Sequence, residues 1–297
     1  MNTKNKLSTT CVPALARIFS AAVIDELASK GRSSIAVAIL KEAGIYREFD
    51  PTTLLCDFFD QVHALLFRSY RNEYIYKNAI ARKILLGVHS LNTASMLTEF
   101  RAGACKADAV VLNGTSTVYE IKSAYDSMER LTRQIAAYRQ LFDCINVITS
   151  NSQMDKVAGI VGDDIGLMVL TDRYTISTVR ESSQLKRFVR PEVIFDSLRK
   201  NEYEQIIKAH FGEVPQVSNA RIYQTCRELF CSLDPTAAHD AMVVVLKKRD
   251  NSRRLRDFVL SVPESLTAVS LSCKLGVAKQ MRFSQLLNTA FGDCLPG

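Results

Sequence analysis

An α/β fold is predicted for this chain: a core of helix, three antiparallel strands, helix and strand, with helical N-terminal elements before it and a mainly helical C-terminal region after it. Three observations lead there. Through the first ninety residues, apolar side chains recur at intervals of three and four, as on the buried face of amphipathic helices. After Ser90 the texture changes to short runs rich in Val, Ile, Leu and aromatic residues, split by Gly103 and by Asn113-Gly114. Beyond Pro191 the helical spacing returns.

Taken in order, the spacing predicts helices over Pro13–Lys30, Ser33–Ala43, Leu54–Tyr70 and Glu73–Gly87, with Gly31 and the stretch Glu48-Phe49-Asp50-Pro51 as breaks. Strands follow at Ser95–Arg101, Cys105–Leu112 and Thr117–Ser123. Asn113-Gly114 between the last two predicts a hairpin, because both residues tolerate positive φ. A helix over Ser127–Leu141 follows from the stripe Met128, Leu131, Ile135, Tyr138 and Phe142, and Asp126 with Glu129 resembles a capping box. Asn146–Ser150, Ile165–Thr171 and Tyr174–Val179 read as strands around a short helix near Gln153–Val161. The last third predicts helices at Val193–Ala209, Ala220–Leu233, Ala237–Leu246 and Phe283–Ala290, with Val243–Leu246 equally readable as a strand. The expected organisation is helical elements over 1–56, a core over 57–185 and an accessory domain over 186–297.

Composition narrows the classes. The chain has 297 residues, more than the roughly 100–200 of a typical domain. It is 47% hydrophobic and 23% charged, near globular averages. No apolar run approaches the roughly 18–20 residues of a membrane span, and the polar start MNTKNKLSTT lacks the layout of a signal peptide, so a cytoplasmic, non-membrane protein is expected. The eight cysteines are scattered with no CxxC pair, which predicts reduced thiols and no zinc site. The four histidines, His63, His89, His210 and His239, are far apart, unlike the paired motif histidines of HNH or phospholipase-D chemistry. A net charge of +7 suits a polyanionic partner such as nucleic acid, although many ordinary proteins are as basic.

The residues that carry chemistry are Asp108 and, twelve positions later, Glu120-Ile121-Lys122. Alternation along a strand points Glu120 and Lys122 the same way, and a hairpin at Asn113-Gly114 brings Asp108 beside Glu120. Two carboxylates and an ammonium then converge at one end of a sheet. Mg²⁺ takes hard oxygen ligands of this kind, and phosphodiester hydrolysis uses such an ion to activate water and neutralise developing charge. Lys122 is placed to orient the water or stabilise the same charge.

Asp followed at this spacing by Glu-x-Lys, on a helix, three strands, helix and strand, resembles the PD-(D/E)xK nuclease superfamily, with Ala107 where the usual proline stands. Gln134-Ile-Ala-Ala-Tyr138 is similar to the QxxxY element of RecB-type nucleases. The segments Tyr74–Ile80, Thr98–Arg101, Lys106–Asp108 and Val118–Ser123 look like a bacterial family of uncharacterised proteins with an "sce" locus-tag name, over about residues 60–180. The resemblance implies a restriction-endonuclease-like core, Mg²⁺ or Mn²⁺ held by Asp108 and Glu120, Lys122 and Gln134 as catalytic groups, and Tyr138 near nucleic acid. It also expects a further metal-binding acid on the first core helix, best matched by Glu73, with Glu99 on the first strand as the alternative.

A strand bearing Glu-x-Lys is commonly a solvated edge with an ion pair. Here the apolar neighbours, the preceding Asp108 and the following Gln134 and Tyr138 favour a site, because charges are rarely buried without a partner or metal. Lys106 suits either a phosphate contact or a neutralising partner for Asp108. The run Lys247 to Arg256 carries six basic residues, Lys247, Lys248, Arg249, Arg253, Arg254 and Arg256, against one acid, and can grip a nucleic-acid backbone or be a solvated face. The expected function is a metal-dependent hydrolase of phosphodiester bonds, DNA above RNA, in bacterial or phage-linked defence or processing. The C-terminal region would serve substrate, a protein partner or a homo-oligomer. The rival is a nuclease-like domain without catalysis that binds nucleic acid or serves assembly.

Overall fold

The computed structural model describes residues 12–249 and 252–297. They divide into two compact units, Met1–Arg82 with Arg253–Gly297, and Lys83–Ser252. The three successive segments expected from the sequence give way to this arrangement, because the region after residue 186 splits between the units.

The first unit opens with α1 (Val12–Leu15), a 3₁₀ turn, α2 (Ala21–Lys30), α3 (Ser34–Glu42), α4 (Leu55–Ser69) and α5 (Glu73–Ala79). The single helix expected over Pro13–Lys30 is broken at Ser20, whose backbone is extended and whose hydroxyl accepts from Val23 N, as N-cap serines do. Phe58, Phe59, Val62 and Leu66 of α4 are fully buried, each worth roughly 1.5–3 kcal/mol of transfer free energy.

The second unit holds a six-stranded sheet of β1 (Ser95–Ala102), β2 (Cys105–Asn113), β3 (Thr115–Lys122), β4 (Cys144–Thr149), β5 (Gly166–Leu170) and β6 (Ile176–Arg180), hydrogen-bonded in that order. The pairs β1–β2, β2–β3 and β5–β6 are antiparallel, whereas β3–β4 and β4–β5 are parallel. Parallel neighbours need a crossover, supplied by α6 (Leu131–Arg139) and the short α7 (Met154–Ala158). The Asn113-Gly114 hairpin forms as predicted, but only Gly114 has positive φ, at 74°. Helix α6 starts later than predicted: Asp126 accepts from Ser123 N at 2.8 Å and from Ser123 Oγ at 2.7 Å, so it braces a loop instead of capping the helix.

Four further helices, α8 (Pro191–Ser197), α9 (Lys200–Phe211), α10 (Asn219–Cys231) and α11 (Pro235–Arg249), complete this unit. Phe195, Ile206, Phe230, Met242 and Leu246 join the core with Val118, Ile145 and Val147 of the sheet and Tyr138 of α6. Residues 191–249 therefore extend the sheet domain, and Val243–Leu246 is helical.

The last segment, α12 (Ser252–Ser261), α13 (Thr267–Ser272), α14 (Val277–Leu286) and α15 (Phe291–Cys294), returns to the first unit. There α14 packs on α2 and α13 on α5. Main-chain bonds from Leu55 to Thr289, from Cys56 to Leu287 and from Ser33 to Cys294 tie the two ends of the chain. Among the described residues no helix is long and apolar enough to cross a membrane.

Candidate active site

The end of β3 carries a buried ion pair. Lys122 Nζ donates to Glu120 Oε1 at 2.8 Å and to Gln134 Oε1 at 2.9 Å, with Glu120 1% and Lys122 4% exposed. The second carboxylate oxygen, Oε2, accepts from the Tyr138 hydroxyl at 2.7 Å, and that hydroxyl lies 3.0 Å from Lys106 O. Gln134 and Tyr138, four residues apart on α6, thus meet the same pair from one helix face. Burial, then the charge of Glu120, pushes the Tyr138 phenol far up, so it stays protonated and donates. An ion pair this deep is tolerable only when its remaining donors and acceptors find partners, and Gln134 and the Tyr138 hydroxyl supply two of them.

Asp108 lies where the hairpin opens. Pairing of β2 with β3 is recorded from Asn113↔Thr115 back to Ala109↔Tyr119. One position further on, Asp108 Oδ2 accepts from Ile121 N at 2.7 Å, a side chain taking the place of a strand carbonyl. On the other side of β2, Thr98 pairs with Ala109 and Phe100 with Ala107, so Glu99 stands opposite Asp108. Glu99 has φ of 54°, a conformation that non-glycine residues adopt rarely and that costs about 1–3 kcal/mol. The kink resets strand alternation: Leu97, Phe100 and Ala102 all join one core.

As a result, a carboxylate oxygen of Glu99 and one of Asp108 lie within 4.8 Å of each other. Like charges directly opposite across a ladder repel. Lys106 offsets part of this, its Nζ 3.1 Å from Glu99 Oε2, so it neutralises Glu99 where the sequence suggested Asp108. Its side chain is 63% exposed and within reach of a ligand. Both acids are hard oxygen donors of the kind Mg²⁺ or Mn²⁺ takes, and in that chemical sense the pair fits such an ion. Glu73, the competing acid, opens α5 in the first unit, exposed and paired with Lys77.

The predicted basic run fares differently. Arg249 is bound by Glu202, with Nε 2.6 Å from Oε1, and its guanidinium lies 5.2 Å from the centre of the Phe100 ring. Its side chain is only 14% exposed, so it is a core clamp and not a phosphate contact. Lys247 is half-buried and Lys248 exposed. The side chains of Arg253 and Arg254, with Asp250 and Asn251, lie outside the described residues.

A second buried polar group escaped sequence reasoning. At the start of β3, Asp143 N donates to Ser116 Oγ at 3.1 Å, Ser116 Oγ lies 2.7 Å from His239 Nε2, and His239 Nδ1 lies 3.2 Å from Asp240 Oδ1. Because the Asp240 carboxylate can only accept, the neutral imidazole of His239 carries its proton on Nδ1, and Nε2 accepts from the Ser116 hydroxyl. Ser116 and His239 are both 0% exposed, so this serine and histidine are closed to a substrate, while the Asp240 side chain is 51% exposed. Nothing in local sequence pairs Ser116 with a histidine 123 positions away.

A family model described as bacteriophage P4 protein cII matches residues 67–269. A curated relative, protein cII of Enterobacteria phage P4, is 27% identical over 90 residues, which is 28% of this chain and 34% of that protein. The chain thus aligns with about a third of its relative. Among solved structures, a protein of unknown function from Silicibacter pomeroyi matches at 17% identity and a TM-score of 0.30, over 47% of this chain and 92% of that one.

Proposed function

We propose that this chain, which belongs to the bacteriophage P4 protein cII family, is a nuclease that depends on Mg²⁺ or Mn²⁺ and hydrolyses phosphodiester bonds, those of DNA first. The observation that carries the reading is the approach of the Asp108 and Glu99 carboxylates, an oxygen of each within 4.8 Å of the other, beside the Glu120–Lys122 pair at the end of β3. A restriction-endonuclease-like core is part of the same proposal, supported by three antiparallel strands, a helix and a parallel strand in that order. The phage setting of the named relative suits phage-linked nucleic-acid processing.

Asp108 is the central ligand residue, with Glu99 a second carboxylate in the same unit. When bound, the ion supplies Lewis acidity toward water and a phosphate oxygen. Lys122 holds a fixed positive charge at the strand end, where charge develops on the phosphoryl group, and a preset cation needs no reorganisation during reaction. Gln134 limits its swing. Lys106 is placed to exchange Glu99 for a substrate phosphate.

The test is incubation with linear, circular and single-stranded DNA and with RNA, in Mg²⁺, Mn²⁺ or EDTA, beside Asp108→Ala and Lys122→Ala. Cleavage is expected only with metal, and each substitution lowers it by roughly 100-fold or more. Cleavage that persists in either variant removes the site. A second reading, a nucleic-acid-binding or assembly subunit without catalysis, draws on the saturation of both Glu120 oxygens by internal donors. Tight binding without cleavage in every metal gives it the field.

A further inference from the structure

Resting on that proposed function, we infer that Glu120 is a positioning residue that fixes Lys122 and contributes no ligand to the metal. The Glu-x-Lys pattern gives Glu120 the role of ligand, but its surroundings give it another. Oε1 accepts from Lys122 Nζ at 2.8 Å and Oε2 from the Tyr138 hydroxyl at 2.7 Å. The residue is 1% exposed and Tyr138 is 0% exposed. Each oxygen keeps a second lone pair, but with the residue 1% exposed a divalent ion gains an approach to it only by pushing the ammonium or the phenol aside, and either would then be buried without its acceptor, a loss that deep sites do not absorb cheaply.

Exposure differs one strand away. Glu99 is exposed and Asp108 half-buried, and their carboxylates approach each other from opposite sides of the β1–β2 ladder. Metal ligation therefore falls to the β1–β2 side of the site, and the carboxylate of Glu-x-Lys serves the lysine. Tyr138 and Gln134 belong to the same holding device, one on Glu120 and one on Lys122 itself.

The experiment compares the full chain with Glu120→Gln, Tyr138→Phe and Asp108→Asn, measuring Mn²⁺ affinity by titration calorimetry without DNA, then kcat and KM on DNA. Glu120→Gln and Tyr138→Phe are expected to bind Mn²⁺ within about twofold of the parent while kcat falls roughly 10- to 100-fold, the range typical of lost supporting groups, and KM holds. Asp108→Asn is expected to weaken Mn²⁺ by about tenfold or more. Glu120→Gln weakening Mn²⁺ as much as Asp108→Asn does would overturn the inference and leave the nuclease reading standing. Tyr138→Phe, which keeps both charges, guards against a Glu120→Gln protein that fails to fold, and a change in its Mn²⁺ affinity beyond about threefold also overturns it. A parent protein that neither binds Mn²⁺ nor cuts overturns both readings.

Discussion

The two ends of β3 hold buried polar networks of similar size and opposite character. At the far end Lys122, Glu120, Gln134 and Tyr138 form a charged network that borders Asp108 and the exposed Glu99. At the near end Ser116 and His239 are sealed among helices and loops, and Asp143 there accepts from Leu185 N, Lys186 N and the Thr115 hydroxyl. In both networks each of the polar side chains has at least one partner. What separates them is access: one stands beside acids that reach solvent, and the other staples α11 and the Leu185 loop to the sheet. Completeness of bonding alone is therefore no mark of function.

The largest expected effect is at the charged end. Lys122→Ala strands the buried carboxylate of Glu120 and should destabilise the second unit by about 3–5 kcal/mol, read by denaturant unfolding, along with the loss of cleavage. At the sealed end, His239→Leu should cost about 1–3 kcal/mol through the orphaned Ser116 hydroxyl, with cleavage per folded molecule unchanged. A fall in that specific activity would break the contrast between the two ends.

Acid should act on the sealed end as well. Burial holds the His239 imidazole below its ordinary value of 6.5, against the opposing pull of Asp240 and Asp143 and with the help of Lys186. As pH falls, the unfolded chain takes up this proton first, so the contribution is full above about 6.5 and drains away below it. His239→Leu should flatten that part of the stability–pH curve. In the first unit His63 behaves likewise, lowered to about 4 chiefly by burial, which sets its window between about 6.5 and about 4.

The smallest change sharpens the comparison from the open side. Glu99→Gly relieves a positive φ and should stabilise the protein by about 1 kcal/mol while weakening Mn²⁺ binding. Stability gained together with metal affinity lost would mark strain kept for function. Mn²⁺ affinity left unchanged would make Glu99 an ordinary strand residue.

Much of this site was legible. Val118-Tyr119-Glu120-Ile121-Lys122 could only place a glutamate and a lysine on one face, and Gln134 and Tyr138 share a helix face by their spacing. The kink at Glu99 also left a trace, because Leu97, Phe100 and Ala102 break the two-residue period that a regular strand keeps. Arg249 left none: the six basic residues of its run looked like one surface, and only Glu202, 47 positions away, turns it inward.

By itself, the sequence determined the strands, the hairpin at Gly114 and the identity of the Asp108, Glu120 and Lys122 trio, since backbone periodicity and turn chemistry are local. Tertiary structure alone decided which oxygen each donor takes, that Glu120 is enclosed while Glu99 is open, and that residues 191–249 cover the sheet. Burial and hydrogen bonding at those places are settled by groups distant in the chain, and local pattern carries no record of them.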